Sequence, residues 1–390
     1  MDNNISIWSK NFILLCLSTF LMAIAFYFLI PTLPIYITEI IGANKREVGI
    51  ILAMYTISAL LIRPFIGFAI DKYGRKIIYI VAFALFTALF DLYSFTTTII
   101  SILVLRFLHG LTWGATSTTS STIVVDMIPA QKRGEGIGIY GLAMTTAMAI
   151  GPVLGISIAS RVNFNTLFFI GLILCFCGLI ITLLIKYPKF IASNSAKKFE
   201  WKNLIQKKAL PISLNLLVLQ ITYGGLLSFI ALYGKEIGVK NPGIFFLIYA
   251  VGIAISRIFS GKIFDKNGPK KIIIIAMLLL TIGFIILSIV HNLSGFLVSA
   301  FLLGLGNGIV MPTFQAMVNN IVDKSQRGSA NSTLFTALDL GIGIGMILMG
   351  TLSEIISIAN AYLISSFISI LSLLLFLSFV IKHYNKNMII

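Results

Sequence analysis

Few residues in this 390-residue chain could do chemistry, and those few stand in apolar surroundings. Asp339 is the acid that most needs explaining, because Leu, Thr, Ala, Gly and Ile surround it. A carboxyl so placed can gain and lose a proton as its solvation changes, which makes Asp339 the expected coupling proton site. Arg106 is its cationic counterpart, in the run from Ile102 through His109, Gly110 and Trp113 to Gly114. An arginine deep in a bilayer costs ~2.5–3.5 kcal/mol on insertion scales, so Arg106 is expected to face a polar cavity or an acid, with Asp339 as a partner across a cleft. Positions 106, 110, 113, 117 and 120 share one helical face, which gathers Arg106, Trp113, Ser117 and Ser120 around Gly110. His109 lies off that face and reads as a packing residue. Asp91 reads as structural, and Glu39 and Glu354, at outer helix ends, as secondary candidates.

Other chemistries are missing from the sequence. No hydrolase triad, phosphate-binding loop, redox cofactor box or metal-ligand cluster is present, so no enzyme, cofactor or metal is expected. Cys16, Cys175 and Cys177 all fall in apolar stretches and suggest neither a disulfide framework nor a metal cage.

The elements that must position these residues are membrane helices. Hydrophobic residues make up 58% of the chain and charged residues 11%, against about 25% charged in soluble domains. Twelve apolar runs long enough to span a bilayer start near residues 11, 47, 77, 98, 134, 165, 209, 242, 272, 293, 328 and 358. The expected fold is an all-α membrane protein of two pseudo-symmetric six-helix bundles, 1–187 and 209–390, joined by a polar linker at 188–208. Within the linker, Phe199, Glu200 and Trp201 with Leu204 and Ile205 could form a short helix on the membrane surface. With both ends inside, 21 Lys and Arg fall on the cytoplasmic side and five outside, at Lys45, Arg46, Arg161, Lys235 and Lys240. The net charge of +16 is thereby explained without nucleic acid. The first apolar stretch is long, ends at Pro31 and Pro34 and lacks a small-residue cleavage site, so it is read as the first span rather than a secretory signal.

Between positions 49 and 76, ten residues recur 194 positions on, among them Gly49/Gly243, Tyr55/Tyr249, Arg63/Arg257, Gly67/Gly261, Asp71/Asp265 and Gly74/Gly268. Such an echo marks a duplicated bundle, whose two halves can enclose a cleft that opens to either side by rocking. The repeat is broken where chemistry concentrates: Arg106 aligns with Ala300, Asp339 with Thr145, Arg75 with Pro269 and Pro152 with Met346.

Gly67, Asp71, Gly74, Arg75 and Lys76 lie between spans two and three, and Gly151, Pro152 and Gly155 in span five. Together with Arg106 and Gly110 in span four, they resemble the signatures of the major facilitator superfamily. Gly67 would allow close helix approach, and Asp71 could accept hydrogen bonds at a helix N-terminus. The resemblance implies a latch in which Arg75 pairs with an acid at the cytoplasmic end of span four, a position held by Asp126. The second copy departs from it at Pro269. The span-five glycines and Pro152 suggest close packing and a bend, and resemble the pattern of proton-antiporting exporters, although Ile156 stands where a second glycine is common.

In the family, spans one, two, four, five, seven, eight, ten and eleven line the cleft. Candidate solute contacts there are Tyr27, Tyr55, Arg106, Trp113, Asn215, Gln220, Tyr223, Tyr249, Asn307, Gln315 and Asp339. The resulting expectation is a secondary transporter of the cell (inner) membrane, acting as a monomer and exporting a small organic solute, drug or metabolite, in exchange for protons by alternating access. Its partners would be that solute, protons and the lipid bilayer. Proton-coupled uptake of a sugar or other metabolite, and a non-transporting membrane sensor, are the competing readings.

Overall fold

The computed structural model describes residues 8–128, 132–187, 205–323 and 326–388, with the side chains of a few helical positions, Asp71 and Asp265 among them, outside that description. Twelve long helices follow one another: α1 (Lys10–Glu39), α2 (Lys45–Tyr73), α3 (Arg75–Leu92), α4 (Ile99–Met127), α5 (Arg133–Arg161) and α6 (Phe164–Leu184), then α7 (Leu210–Glu236), α8 (Ile244–Asn267), α9 (Pro269–Ile289), α10 (Leu293–Asn320), α11 (Arg327–Ile355) and α12 (Ile358–Leu375). A π-helical segment, Phe376–Val380, carries α12 into the terminal turns Ile381–Asn387. Eleven of the helices are long and apolar enough to cross a membrane, and α8 contributes a shorter apolar stretch, Ile244–Ser260. Each of the twelve starts within three residues of its expected position, because the length of an uninterrupted apolar run is itself the physical requirement for spanning. The expected surface helix at 199–205 lies outside the described residues except at Ile205, and Lys207–Ala209 forms a single 3-10 turn before α7.

Helix starts obey the duplication even where residue identity does not. Thr98 caps α4 by accepting from the Ser101 amide at 3.2 Å, and Asn292, 194 residues on, caps α10 through the Gly295 amide at 2.9 Å. Asn163 caps α6 through the Thr166 amide at 2.7 Å, and its counterpart Ser357 caps α12 through the Asn360 amide at 3.2 Å. Any short side-chain oxygen can satisfy one of the orphan amides of a first turn, so the function survives the change of residue. Gly74 and Gly268 separate α2 from α3 and α8 from α9 at φ of 89° and 69°, a backbone region that disfavours side chains. Pro269 stands at the first position of α9, where its fixed φ suits a helix start, and thus replaces Arg75 without breaking the helix.

Close packing repeats as well. A Cβ on Gly114 of α4 would sit 2.6 Å from the Ala59 carbonyl oxygen of α2; one on Gly308 of α10 would sit 2.9 Å from that of Ile253 in α8. Gly151 of α5 lies against Tyr27 of α1, and Gly345 of α11 against the Ile221 carbonyl of α7. Both members of each pair stand 194 residues from their counterparts. The chain divides into two units, Met1–Thr32 with Ile57–Phe199, and Leu33–Thr56 with Glu200–Ile390. The end of α1 and the start of α2 therefore pack with the C-terminal helices. In the first unit α3 packs on α4 and α6; in the second the main pairs are α7 with α11, α8 with α10, and α9 with α10 and α12.

Candidate functional site

In the first unit, Arg106 is buried, 5% exposed, close to the hydroxyl of Tyr93 at the corner between α3 and α4. The same hydroxyl lies 2.9 Å from Nδ1 of the fully buried His109. Phe86 and Phe90 close around the imidazole at 4.2 and 5.0 Å between ring centroids, and Phe168 of α6 stacks on Tyr93 at 5.4 Å. His109 is thus held as one member of a packed polar knot. The helical face expected to carry Arg106 toward a cavity turns into this bundle. Trp113 stacks on Phe26 of α1 at 4.3 Å and meets Phe86, and Ser120 shares a 2.8 Å hydrogen bond with Tyr140 of α5. A helical wheel specifies which residues share a face, and aromatic burial decides what that face meets.

Arg75 Nε donates to Asp126 Oδ2 at 3.0 Å, joining the first residue of α3 to the end of α4. Lys72 lies over the rings of Phe68 and Tyr73, and Lys76 is exposed. The side chain of Asp71 lies outside the described residues. At Gly67 no close approach is seen among the described residues: a Cβ there would meet none of them within 4 Å. The tight contact of α2 with its neighbour instead falls at Ala59, where α4 presents Gly114. In α5, Gly151 lies against Tyr27, and a Cβ on Gly155 would sit 2.8 Å from the Phe28 carbonyl oxygen, while the helix runs unbroken through Pro152.

In the second unit, Asp339 is half-buried near the middle of α11. Seven residues on, and therefore on the same face, Met346 meets Gly49 of α2, and its sulfur lies 3.9 Å from the Thr56 hydroxyl. Tyr223 of α7 and Tyr249 of α8 stack at 6.2 Å and 16°, and Phe245 continues the stack at 6.2 Å and 19°. Gln220 is 5% exposed beside Gly341, and its Oε1 has no hydrogen-bond partner among the described residues. Tyr55 is buried in α2, and Gln315 is half-buried in α10.

Two of the expected solute contacts, Asn215 and Asn307, also bond helix carbonyls. Asn215 donates to the Ser372 carbonyl at 2.9 Å, and the Ser372 hydroxyl donates back at 3.4 Å, clamping α7 to α12. Asn307 donates to the Leu303 carbonyl of its own helix at 3.2 Å. Asn215 is buried, and leaving a buried amide unpaired costs about 1–3 kcal/mol; Asn307 is half-buried.

One cluster escaped sequence reasoning. Lys45 Nζ pairs with Glu236 at 2.8 Å, Lys235 with Glu39 at 2.5 Å, and the Lys45 amide donates to Glu354 at 2.9 Å. Beneath these, Gly49 and Gly350 bring α2 and α11 into backbone contact; a Cβ on Gly350 would sit 2.6 Å from the Lys45 carbonyl oxygen. The excess of charge at these helix ends was the only signal in the sequence.

Among the described residues there are twelve long helices and no strand, eleven of the helices long and apolar enough to cross a membrane, and this is the architecture of a multi-pass membrane protein. The family pattern described as Major Facilitator Superfamily matches residues 15–266 and again 240–387, and the chain belongs to that family of transporters. It is 26% identical over 360 residues to the staphylopine export protein of Staphylococcus aureus, covering 86% of this chain and 87% of that one. It is 23% identical over 354 residues to the multi-drug resistance efflux pump PmrA homolog of Lactococcus lactis, covering 87% and 86%. Among solved structures, a mutant of the nucleoside transporter NupG shares the fold at a TM-score of 0.81 with 14% identity, over 95% of this chain and 99% of that one.

Proposed function

We propose that this transporter exports a small organic solute in exchange for protons, by alternating access across the cell membrane, with both termini in the cytoplasm and one copy of the chain as the working unit. The observation that carries the reading is Asp339: a half-buried carboxyl at mid-helix, on the α11 face whose continuation at Met346 packs against α2. Loss or gain of charge at that point changes the solvation cost of the face that must close and open. The export direction is supported by relatives named as a staphylopine exporter and a drug efflux pump. The Arg75–Asp126 pair, with Gly67, Asp71, Gly74 and Lys76, is assigned as the cytoplasmic latch, and the close contacts of Gly151 and Gly155 as the packing on which α5 moves.

The test uses purified protein in sealed vesicles carrying an imposed pH gradient and an entrapped pH dye. Lipophilic cations and metabolite carboxylates are added in turn, and solute-triggered proton release is read. Active solutes should move protons through the wild type, while Asp339→Asn should retain solute exchange at zero gradient and lose proton release. Full gradient dependence in Asp339→Asn would remove Asp339 from the mechanism.

A further inference from the structure

Three acids of the second unit stand where a helix least favours them. Glu39 ends α1, Glu236 ends α7, and Glu354 is the last residue but one of α11. The C-terminal turn is the negative pole of a helix, so an anion there is disfavoured unless a cation or the N-terminus of another helix faces it. Each acid finds such a partner: Glu39 pairs with Lys235, Glu236 with Lys45 Nζ, and Glu354 accepts from the backbone amide of Lys45 at 2.9 Å. The third contact differs in kind, because the donor is main chain. Lys45 opens α2, whose first turn otherwise caps itself: Asn44 Oδ1 accepts from the Glu47 amide, and Glu47 Oε2 from the Asn44 amide, both at 2.9 Å. That reciprocal box leaves the Lys45 amide over, and α11 supplies its acceptor.

Below the cap, Gly350 lies against Gly49, and glycine on glycine buries little apolar surface. This stretch of the contact therefore has little hydrophobic hold of its own. None of the arrangement is duplicated. Glu39, Lys45, Glu236, Gly350 and Glu354 align with Tyr233, Val239, Gly42, Ile156 and Ser160. Ahead of α8, the counterpart of α2, Asn241 Oδ1 accepts from the Gly243 amide at 3.0 Å within its own loop. We propose that Glu354 is a latch for α2, at the end of that helix opposite the Arg75–Asp126 pair: its carboxylate on the Lys45 amide holds α2 against α11, and loss of the contact frees the start of α2. The latch goes beyond the export reading and holds for either direction of transport. It also names a main-chain amide, and not the lysine side chain, as what the acid grips.

A cysteine at Met346 reports the release. Met346 is 9% exposed, and its sulfur lies 3.9 Å from the hydroxyl of Thr56, eleven residues and hence about 16 Å along α2 from Lys45. Fraying of the first turn alone does not uncover it. Met346→Cys is placed in full-length protein with Cys16, Cys175 and Cys177 replaced, and its reaction with a soluble maleimide is timed in phosphatidylcholine nanodiscs. Glu354→Ala should raise the rate about fivefold, the effect of losing one helix cap. Glu354→Gln, which keeps an acceptor oxygen, should fall between wild type and Glu354→Ala. Lys45→Ala leaves the amide and its acceptor in place and should raise the rate less than Glu354→Ala does. Ser369→Cys, fully buried in α12, serves as the control for general loosening. An unchanged rate in Glu354→Ala, an equal rise in Lys45→Ala, or a rise by the same factor at Ser369→Cys would overturn the latch.

Discussion

Replacing Gly350 by alanine should bias the transporter away from the state in which α2 and α11 touch. The added Cβ would lie 2.6 Å from the Lys45 carbonyl oxygen and 3.0 Å from the Gly49 Cα, both backbone atoms that cannot swing aside. Reaching the 3.4 Å of ordinary contact requires the helices to part by about 0.8 Å, and overpacking of this kind costs about 1–3 kcal/mol. If the contact exists in only one of two alternating states, the whole cost falls on that state and the equilibrium shifts about 5–150-fold. The ion pairs above it should matter less. Lys45 and Glu236 are 29% and 44% exposed, and pairs of this kind contribute about 0–1 kcal/mol. Spin labels at Arg46 and Lys240, on a background with Cys16, Cys175 and Cys177 replaced, would report the separation in nanodiscs by pulsed electron resonance. Gly350→Ala should enrich the longer distances far more than Lys45→Ala does. An unchanged distance distribution in a Gly350→Ala protein of wild-type stability would refute the idea that this contact opens and closes.

Two further outcomes follow from the same structure. Thr98→Ala and Asn292→Ala should each lower stability by ~1 kcal/mol and add in the double variant, since each removes one cap from a separate helix; detergent-solubilised melting checks this. The Arg75–Asp126 pair, with side chains 27% and 33% exposed, should show a coupling of only ~0.2–1 kcal/mol in a double-mutant cycle on stability. Transport rate should fall more than stability if the pair acts as a latch.

What the sequence made legible was whatever bilayer physics demands of single segments. The start of every span could be read, because an apolar run announces itself. The Arg75–Asp126 pairing could be anticipated from a resemblance and a position. The caps could not, since Thr98 and Asn292 look unrelated until both are seen accepting an amide in the first turn. Partners distant in sequence were equally hidden: Lys45 finds Glu236 across 191 positions and Glu354 across 309. The spacing of Arg106 and Trp113 puts them on one helical face, but which neighbours that face meets depends on Tyr93, Phe26 and Phe86, none of which carries a pattern of its own.

The glycine contacts at Gly114 and Gly308 carry a mechanical consequence. At these two points backbone rests on backbone, so the α2–α4 and α8–α10 contacts have little side-chain layer to compress there. Each pair should flex as one stiff beam rather than two sliding rods. Bending strain in either beam then has one adjacent joint with little torsional resistance: the positive-φ glycine, Gly74 or Gly268, at the end of α2 or α8.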